Sequence, residues 1–262
     1  MAGEVPFTLL PPASGAGPAP VVVAWHLMDA PCTDAAFAAA LPLSGLDAWR
    51  LYLGMPWCGQ RAYPQGRELS RRDPMMLYVD PVVRQATDEF PAAWAELASR
   101  FPFADGPVGI VGGSLGGTVA LTVAASGAVP VAAVAIVNAA IRATSVVSLI
   151  ESATGEPYPW DDDSRAAAAR LDYVARAADL PAATLVVSGE EDHPSFRADA
   201  AALADALPRG RLVSVPGLAH PLAEQPGEAP APQLPVAAAV DAAMTDWFAG
   251  HLRPHPGFGS TA

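Results

Sequence analysis

Hydrophobic positions along the chain fall into short continuous runs, separated by longer segments with helical periodicity. The runs, rich in β-branched residues, predict strands at 5–10, 21–25, 48–53, 108–111, 131–137, 184–188 and 212–215. The helical patterns predict helices at 33–41, 82–100, 115–126, 164–178, 195–207 and 236–251. Continuous apolar runs are typical of strands that are covered on both faces. The alternation therefore predicts an α/β fold with a mostly parallel central sheet flanked by helices.

Two longer segments interrupt this alternation. Residues 54–81 are predicted to form a long irregular loop, and loops of this length are usually functional or disordered. Residues 142–180 contain Gly155, two prolines and three consecutive aspartates at 161–163. Adjacent aspartates point in different directions, so we expect a solvated helix start there and not a metal site. We expect 142–180 to be a small cap inserted into one domain that covers 1–262, with a loose tail after the last helix.

The most informative stretch joins the fourth predicted strand to the helix after it. The sequence Gly-Gly-Ser-Leu-Gly at 112–116 puts Ser114 at the tip of a sharp turn. A serine on such a strained turn stands clear of the sheet. Glycines two residues before and after it let the strand and helix pass closely. The helix beginning at Leu115 directs free N–H groups and its positive dipole end at the serine, so Ser114 is the candidate nucleophile.

Candidate partners for Ser114 follow two later strands. A serine hydroxyl is a weak nucleophile and needs a base, and the base needs a carboxylate that holds its tautomer. Asp192 follows the strand at 184–188 in Gly-Glu-Glu-Asp, and His220 follows the strand at 212–215 in Gly-Leu-Ala-His. Both therefore lie at the carboxyl edge of the predicted sheet, where sites in parallel sheets form.

Neighbouring residues offer alternatives for these roles. Glu190 and Glu191 are adjacent to the candidate acid and are alternatives to it. His193 follows the acid too closely to fold back as the base, so we expect it to line the site or to cap the following helix. Asn138 follows the strand at 131–137, but an amide cannot replace the carboxylate, so we expect it to form hydrogen bonds beneath the site.

With the three motifs in register, the chain resembles the serine hydrolases of the α/β-hydrolase superfamily over roughly residues 20–250. It is most similar to dienelactone hydrolases and to prolyl-oligopeptidase-like single-domain esterases. The resemblance implies a catalytic triad of Ser114, Asp192 and His220, with Asp192 favoured as the acid by the family pattern. It implies hydrolysis of a carboxylic ester through an acyl-enzyme, with no cofactor and no metal.

The resemblance leaves the exact reaction open. Thioesterases, peptidases, lactonases and acyltransferases use the same triad, and the sequence does not separate them. A non-catalytic ligand-binding member of the fold is a further alternative, against which the complete set of Ser114, Asp192 and His220 argues.

An oxyanion hole in this family uses two backbone N–H groups. One belongs to the residue after the nucleophile, Leu115. The other comes from the loop after the strand at 21–25, where the family usually has His-Gly and this chain has Trp-His-Leu-Met at 25–28. We expect Leu27 to donate the second N–H, with Met28 as the alternative. The missing glycine leaves the shape of the acyl pocket open.

Several side chains near these motifs are candidates for contact with the substrate: His26, Met28, Trp57, Arg61, Trp160 and His193. Arg61 is preferred among the arginines of the 54–81 segment because related esterases often carry an arginine after a glycine there; its alternative role is an ion pair. We expect His26 to form structural hydrogen bonds and not to act in catalysis. An apolar pocket and ordinary core remain equal alternatives for Trp57, Met75, Met76, Ile141, Trp160 and Leu222.

Composition narrows the class of partner. The 262-residue chain is 52% hydrophobic, enough for a sizeable core, and its formal net charge of -12 argues against nucleic acid or an anionic membrane. We expect a small-molecule ester or thioester substrate and a monomer or homodimer. Cys32 and Cys58 lack metal-ligand spacing and are expected to be reduced. We see no secretory signal and no apolar run of about 18 residues, so we expect a soluble cytoplasmic protein.

Overall fold

A single sheet forms the centre of the molecule. The computed structural model describes residues 1–15 and 17–252, so the expected loose tail lies outside the described residues. The strands of the described part are β1 (Phe7–Leu10), β2 (Val21–Trp25), β3 (Trp49–Leu53), β4 (Val108–Gly113), β5 (Val131–Val137), β6 (Ala183–Gly189) and β7 (Gly210–Val215). Their order across the sheet is β1-β3-β2-β4-β5-β6-β7. Only β1 is antiparallel, at one edge, and all other neighbouring strands are parallel.

Helices cover both faces of this sheet. The α-helices of the described residues are α1 (Asp34–Ala40), α2 (Gly66–Arg72), α3 (Asp80–Arg100), α4 (Leu115–Ser126), α5 (Ala143–Thr154), α6 (Asp162–Arg170), α7 (Pro194–Ala206) and α8 (Pro235–His251). Short 3₁₀ turns lie at Gly59–Arg61 and Ala177–Asp179, and a π-helix lies at Met75–Val79. Within residues 1–15 and 17–252, no helix combines the length and the apolar character that a bilayer crossing needs.

The predicted α/β class with a mostly parallel sheet is confirmed. β2, β5 and α4 have the bounds that the sequence predicts, because strong local signals mark their ends. At the end of α4, for example, Gly127 adopts the left-handed conformation typical of a helix C-terminus. At the start of α1, the Thr33 hydroxyl accepts a hydrogen bond from the Ala36 N–H at 3.1 Å.

The prediction of an irregular loop at 54–81 is wrong for its second half. Residues 66–72 form α2, and the π-helix at Met75–Val79 runs directly into α3. Pro81 does not delay α3, because proline is tolerated in the first turn of a helix, where its missing N–H has no intrahelical partner. α2 buries none of its residues, so it shows no apolar stripe from which the sequence could predict it.

Between β5 and β6 the chain forms two helices where one was predicted at 164–178. α6 begins earlier, at a capping box in which Asp161 and Ser164 exchange hydrogen bonds. It ends at Arg170, and the following turn is held by long-range contacts. The Tyr173 N–H donates to the Ile141 carbonyl at 3.1 Å, and Asp172 pairs with Arg142 at 3.3 Å. Such contacts are absent from the local sequence pattern.

The two faces of the sheet pack into two apolar clusters. In β2, Val21, Val23 and Trp25 belong to the cluster under α3, α4 and α7, whereas Val22 and Ala24 belong to the cluster under α1 and α8. Successive strand residues point to opposite faces. β2, β4 and β5, at the centre of the sheet, therefore carry no polar side chain, which explains the continuous runs in the sequence.

The start of α4 lies unusually close to the ends of β2 and β4. A Cβ atom on Gly112 would collide with the Gly116 carbonyl oxygen and would lie 2.6 Å from the Gly117 Cα. A Cβ atom on Gly116 would lie 2.5 Å from the Trp25 carbonyl oxygen. These are backbone atoms and cannot rotate away. The absence of side chains at both positions therefore sets the height of Ser114 above the sheet.

We predict that Gly112→Ala destabilises the protein by about 3 kcal/mol, because the new methyl group forces α4 away from β4. The measurement is the free energy of unfolding in urea. The control is Gly250→Ala, since a Cβ at Gly250 meets nothing within 4 Å. That variant is expected to be unchanged or up to about 1 kcal/mol more stable, as alanine favours a helix interior. Equal stabilities for the two variants would contradict the close contact.

Candidate active site

Ser114 occupies a strained turn between β4 and α4. Its φ of 48° and ψ of -123° are unusual for a residue with a side chain. Three backbone hydrogen bonds hold this conformation: the Ser114 N–H donates to Val137 at 3.2 Å, and its carbonyl accepts from Gly117 and Ala140, each at 2.9 Å. The residue is 9% exposed. The turn therefore holds the hydroxyl at the carboxyl edge of the sheet.

The structure brings Ser114, His220 and Asp192 together in one chain of hydrogen bonds. The His220 Nε2 lies 2.9 Å from the Ser114 Oγ, and the His220 Nδ1 lies 2.8 Å from the Asp192 Oδ1. A carboxylate can only accept, so these partners assign the ring proton to Nδ1 and leave the Nε2 lone pair facing the hydroxyl. The side chain of Asp192 is 1% exposed and that of His220 is 12% exposed.

The alternatives to Asp192 and His220 do not join this chain. Glu190 and Glu191 are exposed, and their backbone N–H groups are bonded to Val215 and Leu218. His193 precedes α7 without capping it through its side chain, and its exposed ring lies 5.5 Å from the His220 ring. Its backbone N–H donates to the Asp192 Oδ1 at 2.7 Å. His193 is therefore a neighbour of the candidate triad.

Asn138 joins the loops that carry the candidate acid and base. Its amide nitrogen donates to the carbonyls of Ala219 and His220, at 2.7 and 3.1 Å. Its amide oxygen accepts from the Gly189 N–H at 2.8 Å, and its backbone has a positive φ of 44°. These bonds lie beneath the site, as expected from the sequence. One buried side chain thus sets the spacing between the end of β6 and the loop after β7.

His26 is an interior residue with both ring nitrogens engaged. The Nδ1 donates to the Leu27 carbonyl at 2.5 Å, and the Nε2 accepts from the Met55 N–H at 2.8 Å. Burial lowers the pKa of His26 from 6.5 to about 4, with a smaller effect from Arg61, against the opposing effect of the Leu27 hydrogen bond. The neutral ring therefore connects the ends of β2 and β3. His26 was a candidate for substrate contact from the sequence. In this structure neither of its ring nitrogens is free to bond a substrate.

The expected oxyanion-hole residues lie at the elbow. A Cβ on Gly113 would collide with the Leu27 side chain, so Leu27 packs against the residue before Ser114. Leu27 and Leu115 are 0% and 3% exposed. Within the described part of the chain, neither N–H donates to a protein acceptor, and the same holds for Met28. Free N–H groups at buried residues are rare and are available to a ligand oxygen.

Arg61 is held in an ion pair. Its Nη2 lies 2.6 and 2.7 Å from the two carboxylate oxygens of Glu89 on α3, and its Nη1 donates to the Gly54 carbonyl at 3.0 Å. The side chain is 11% exposed. Of the two roles considered for Arg61, the structure therefore shows the ion pair. The guanidinium holds the 54–61 segment against α3.

The remaining candidates for substrate contact are partly exposed. Met28 accepts a hydrogen bond from the Cys58 thiol at 3.6 Å, and burial raises the pKa of that thiol to about 12. Trp57 has a positive φ of 68°, and its ring packs at a tilt of 45° against Tyr78 on the π-helix, with ring centroids 5.9 Å apart. Met75, Ile141 and Leu222, by contrast, are all 0% exposed, which assigns them to ordinary core.

A sequence model of the prolyl oligopeptidase family matches residues 84–220. That span is more than half of the 262 residues and contains Ser114, Asp192 and His220. The chain belongs to the prolyl oligopeptidase family. No curated protein sequence matches it.

Solved structures with the α/β-hydrolase fold are similar to this family member over nearly its whole length. Dienelactone hydrolase from Anabaena variabilis has 20% identity and a TM-score of 0.59, with 97% of this chain and 95% of that chain covered. A monoacylglycerol lipase from Paleococcus ferrophilus has 14% identity and a TM-score of 0.62, with 95% and 99% covered. The esterase domain of a Rhodothermus marinus protein has 16% identity and a TM-score of 0.58, with 95% and 100% covered.

At these identities the likeness shows the fold. The superfamily resemblance expected from the sequence is confirmed by the fold and by the family match. Family and fold together support a hydrolase.

In this member of the prolyl oligopeptidase family, the structure shows one contact at the candidate triad and one between the 54–81 and 142–180 segments that the sequence did not predict. Phe196 on α7 packs edge-on against His220, with ring centroids 5.1 Å apart. Tyr158, before α6, donates to Asp73, before the π-helix, at 2.7 Å. Trp160 packs edge-on against the Tyr158 ring, with ring centroids 4.8 Å apart. The only feature of the sequence that could have predicted the contact between Phe196 and His220 is that Phe196 lies four residues after Asp192.

We predict that Asn138→Asp in this prolyl oligopeptidase family member lowers kcat for ester hydrolysis by about tenfold or more while KM changes little. The new carboxylate oxygen would face the Ala219 and His220 carbonyls and displace the loop that bears His220. Steady-state kinetics with p-nitrophenyl acetate is the measurement.

Thr184→Val is the control, since it removes a hydrogen bond to Ala182 at the opposite end of β6. It is expected to lose about 1 kcal/mol of stability and to keep its kcat. If both variants lose stability and neither loses kcat, Asn138 only stabilises the fold.

We predict that protonation of His26 lowers the free energy of unfolding in acid. The pKa of His26 is about 4 in the folded protein and 6.5 when unperturbed, so the unfolded chain binds a proton that the folded chain rejects. Its contribution to stability is therefore complete above pH 6.5 and is lost as the pH falls towards 4, by about 3 kcal/mol. Urea unfolding of wild type and His26→Gln across this range is the measurement.

The wild-type advantage over His26→Gln should shrink as the pH falls. Gly250→Ala, which changes no titratable group, is the control and should keep a constant difference from wild type. Parallel pH curves for wild type and His26→Gln would show that the ring accepts its proton without cost.

Proposed function

We propose that this protein is a serine hydrolase that cleaves a carboxylic ester through an acyl-enzyme. Ser114 is the nucleophile, His220 the general base and acid, and Asp192 the carboxylate that orients His220. The observation that carries the proposal is the unbroken chain of hydrogen bonds of 2.9 and 2.8 Å through the two nitrogens of His220. Its tautomer leaves the Nε2 lone pair directed at the Ser114 hydroxyl, as a general base requires.

In the first half of the reaction His220 takes the Ser114 proton as the Oγ attacks the carbonyl carbon. The buried Asp192 carboxylate stabilises the imidazolium that forms. His220 then gives the proton to the leaving alcohol, and the acyl group remains on Ser114. Water repeats the sequence on the acyl-enzyme and releases the acid.

The negative charge that develops on the carbonyl oxygen requires donors fixed in advance. We propose the N–H groups of Leu115 and Leu27 for this role, with Met28 as the alternative to Leu27. The absence of protein acceptors for these groups in the described residues supports the assignment. Leu115 opens α4, so the helix dipole adds partial positive charge at the same place.

The segments above the carboxyl edge of the sheet are proposed to set specificity. The proposed cap at 142–180 contacts the 54–81 segment through Tyr158 and Asp73, and α3 through Arg170 and Asp80 at 3.1 Å. Met28, Trp57, Trp160 and His193 are partly or fully exposed and are the proposed substrate contacts that belong to or adjoin these segments.

A peptidase is the second candidate, because the matching family model is that of the prolyl oligopeptidases. The similar structures named as dienelactone hydrolase, lipase and esterase favour an ester. An acyl-enzyme mechanism with the same three residues serves either bond, so the two candidates differ in substrate and not in machinery.

We predict that Ser114→Ala lowers kcat/KM for p-nitrophenyl acetate by about 10³-fold or more and abolishes labelling by a fluorophosphonate probe. The variant removes a hydroxyl at the tip of a turn, so its urea unfolding curve should remain that of a folded protein. The control is Ser99→Ala, which removes an exposed hydroxyl from the last turn of α3 and should keep both activity and labelling. Undiminished hydrolysis by folded Ser114→Ala would disprove the mechanism.

The same assay separates the candidate substrates. Wild type is compared on p-nitrophenyl esters of increasing acyl length, on a matched thioester and on a peptide p-nitroanilide. The proposal expects the largest kcat/KM for an ester. A larger value for the p-nitroanilide would establish the peptidase alternative with the same triad.

A further inference from the structure

Three potential metal ligands meet at the edge of the proposed triad. One ligand atom each from Asp192, His193 and His220 lies within 4.8 Å of the other two. The ester mechanism uses Asp192 and His220 but assigns no step to the imidazole of His193. His193 is exposed and directly precedes α7, with its ring 5.5 Å from the His220 ring. The His193 imidazole could therefore have a role other than in the reaction.

Two imidazoles and one carboxylate form a donor set that suits Zn²⁺. Zinc binds histidine nitrogen and carboxylate oxygen at about 2.0–2.2 Å and accepts three protein ligands with water in the fourth position. The ligand atoms must move closer than 4.8 Å to share one ion, and the exposed ring of His193 is free to turn towards the other two. The Asp192 Oδ2 is buried and has no hydrogen-bond partner in the described residues, so this carboxylate retains an unused oxygen.

We propose that Asp192, His193 and His220 form an inhibitory Zn²⁺ site that switches the hydrolase off when the ion binds. The inhibition rests on the proposed function, whereas the binding does not. Zinc here is a reversible inhibitor and takes no part in the reaction.

Binding at the His220 Nδ1, the nitrogen that faces Asp192, removes the general base. The ion replaces the proton held towards Asp192, and the single proton of the neutral ring moves to Nε2. Nε2 then has no lone pair for the Ser114 proton, so the first step of acyl transfer stops. The imidazole stays neutral throughout, and no bond to the substrate is formed or broken.

Titration calorimetry with ZnCl₂ tests the site directly. The full-length chain and its Ser114→Ala variant are expected to bind one Zn²⁺ with the same affinity, because Ser114 supplies no ligand. His193→Gln should weaken binding by about tenfold or more, since it removes a direct ligand. MgCl₂, which prefers oxygen ligands, should show no binding at this site.

His251→Gln is the matched control, because it removes a histidine from the far end of α8. It should bind Zn²⁺ as wild type does. Unchanged affinity in His193→Gln overturns the proposal, and loss of binding in His251→Gln alone would assign the metal to the C-terminal helix instead.

Hydrolysis of p-nitrophenyl acetate, expressed relative to each variant's own metal-free rate, tests the inhibition. Zinc should inhibit wild type, EDTA should restore the rate, and His193→Gln should need about tenfold more zinc or more. Zinc binding that depends on His193 in a protein without esterase activity would refute the proposed function and leave the site standing. Full activity with bound zinc would refute the inhibition alone.

Discussion

The contact between the start of α4 and the ends of β2 and β4 is the constraint on which the rest of the site depends. Gly112 and Gly116 allow backbone to meet backbone there, with no room for a methyl group. The same contact turns Ser114 to a positive φ and brings Leu27 against the elbow. A helix standing farther from the sheet would separate the Ser114 Oγ from His220, although every residue of the site would still be present.

Buried polar side chains hold the loops around this contact. Asn138 uses both of its donors and its acceptor to join the ends of β5, β6 and the loop after β7. His26 joins the end of β2 to the residues after β3 through its Nε2, while its Nδ1 bonds the adjacent Leu27 carbonyl. A satisfied network in a low-dielectric interior is rigid, and an unsatisfied one is costly. The proposed catalytic groups, which come from three separate loops, therefore have little freedom to drift apart.

The sequence predicted the parts whose signals are local or follow from parallel order. In a parallel sheet, the loops that follow the strands all lie at the same edge. The order of the strands therefore predicts that Ser114, Asp192 and His220 are neighbours. The partner of Arg61 was not predictable, because Glu89 lies on a different element and no local pattern connects the two. Of the two helices between β5 and β6, α5 was not predicted and α6 was predicted with the wrong bounds, since long-range contacts such as Arg142 with Asp172 follow from no local pattern.

By itself the sequence determined the order of the strands along the chain, most of the helices, the α/β class, the elbow and the three residues proposed for catalysis. These features depend on hydrophobic periodicity, glycine sterics and chain order, which the sequence carries within short windows. Tertiary structure alone decided that the His26 ring accepts from the Met55 N–H, that Arg61 pairs with Glu89, and that Phe196 packs against His220. Those outcomes depend on which distant side chains share a space, and that is settled only when the sheet and its helices pack together.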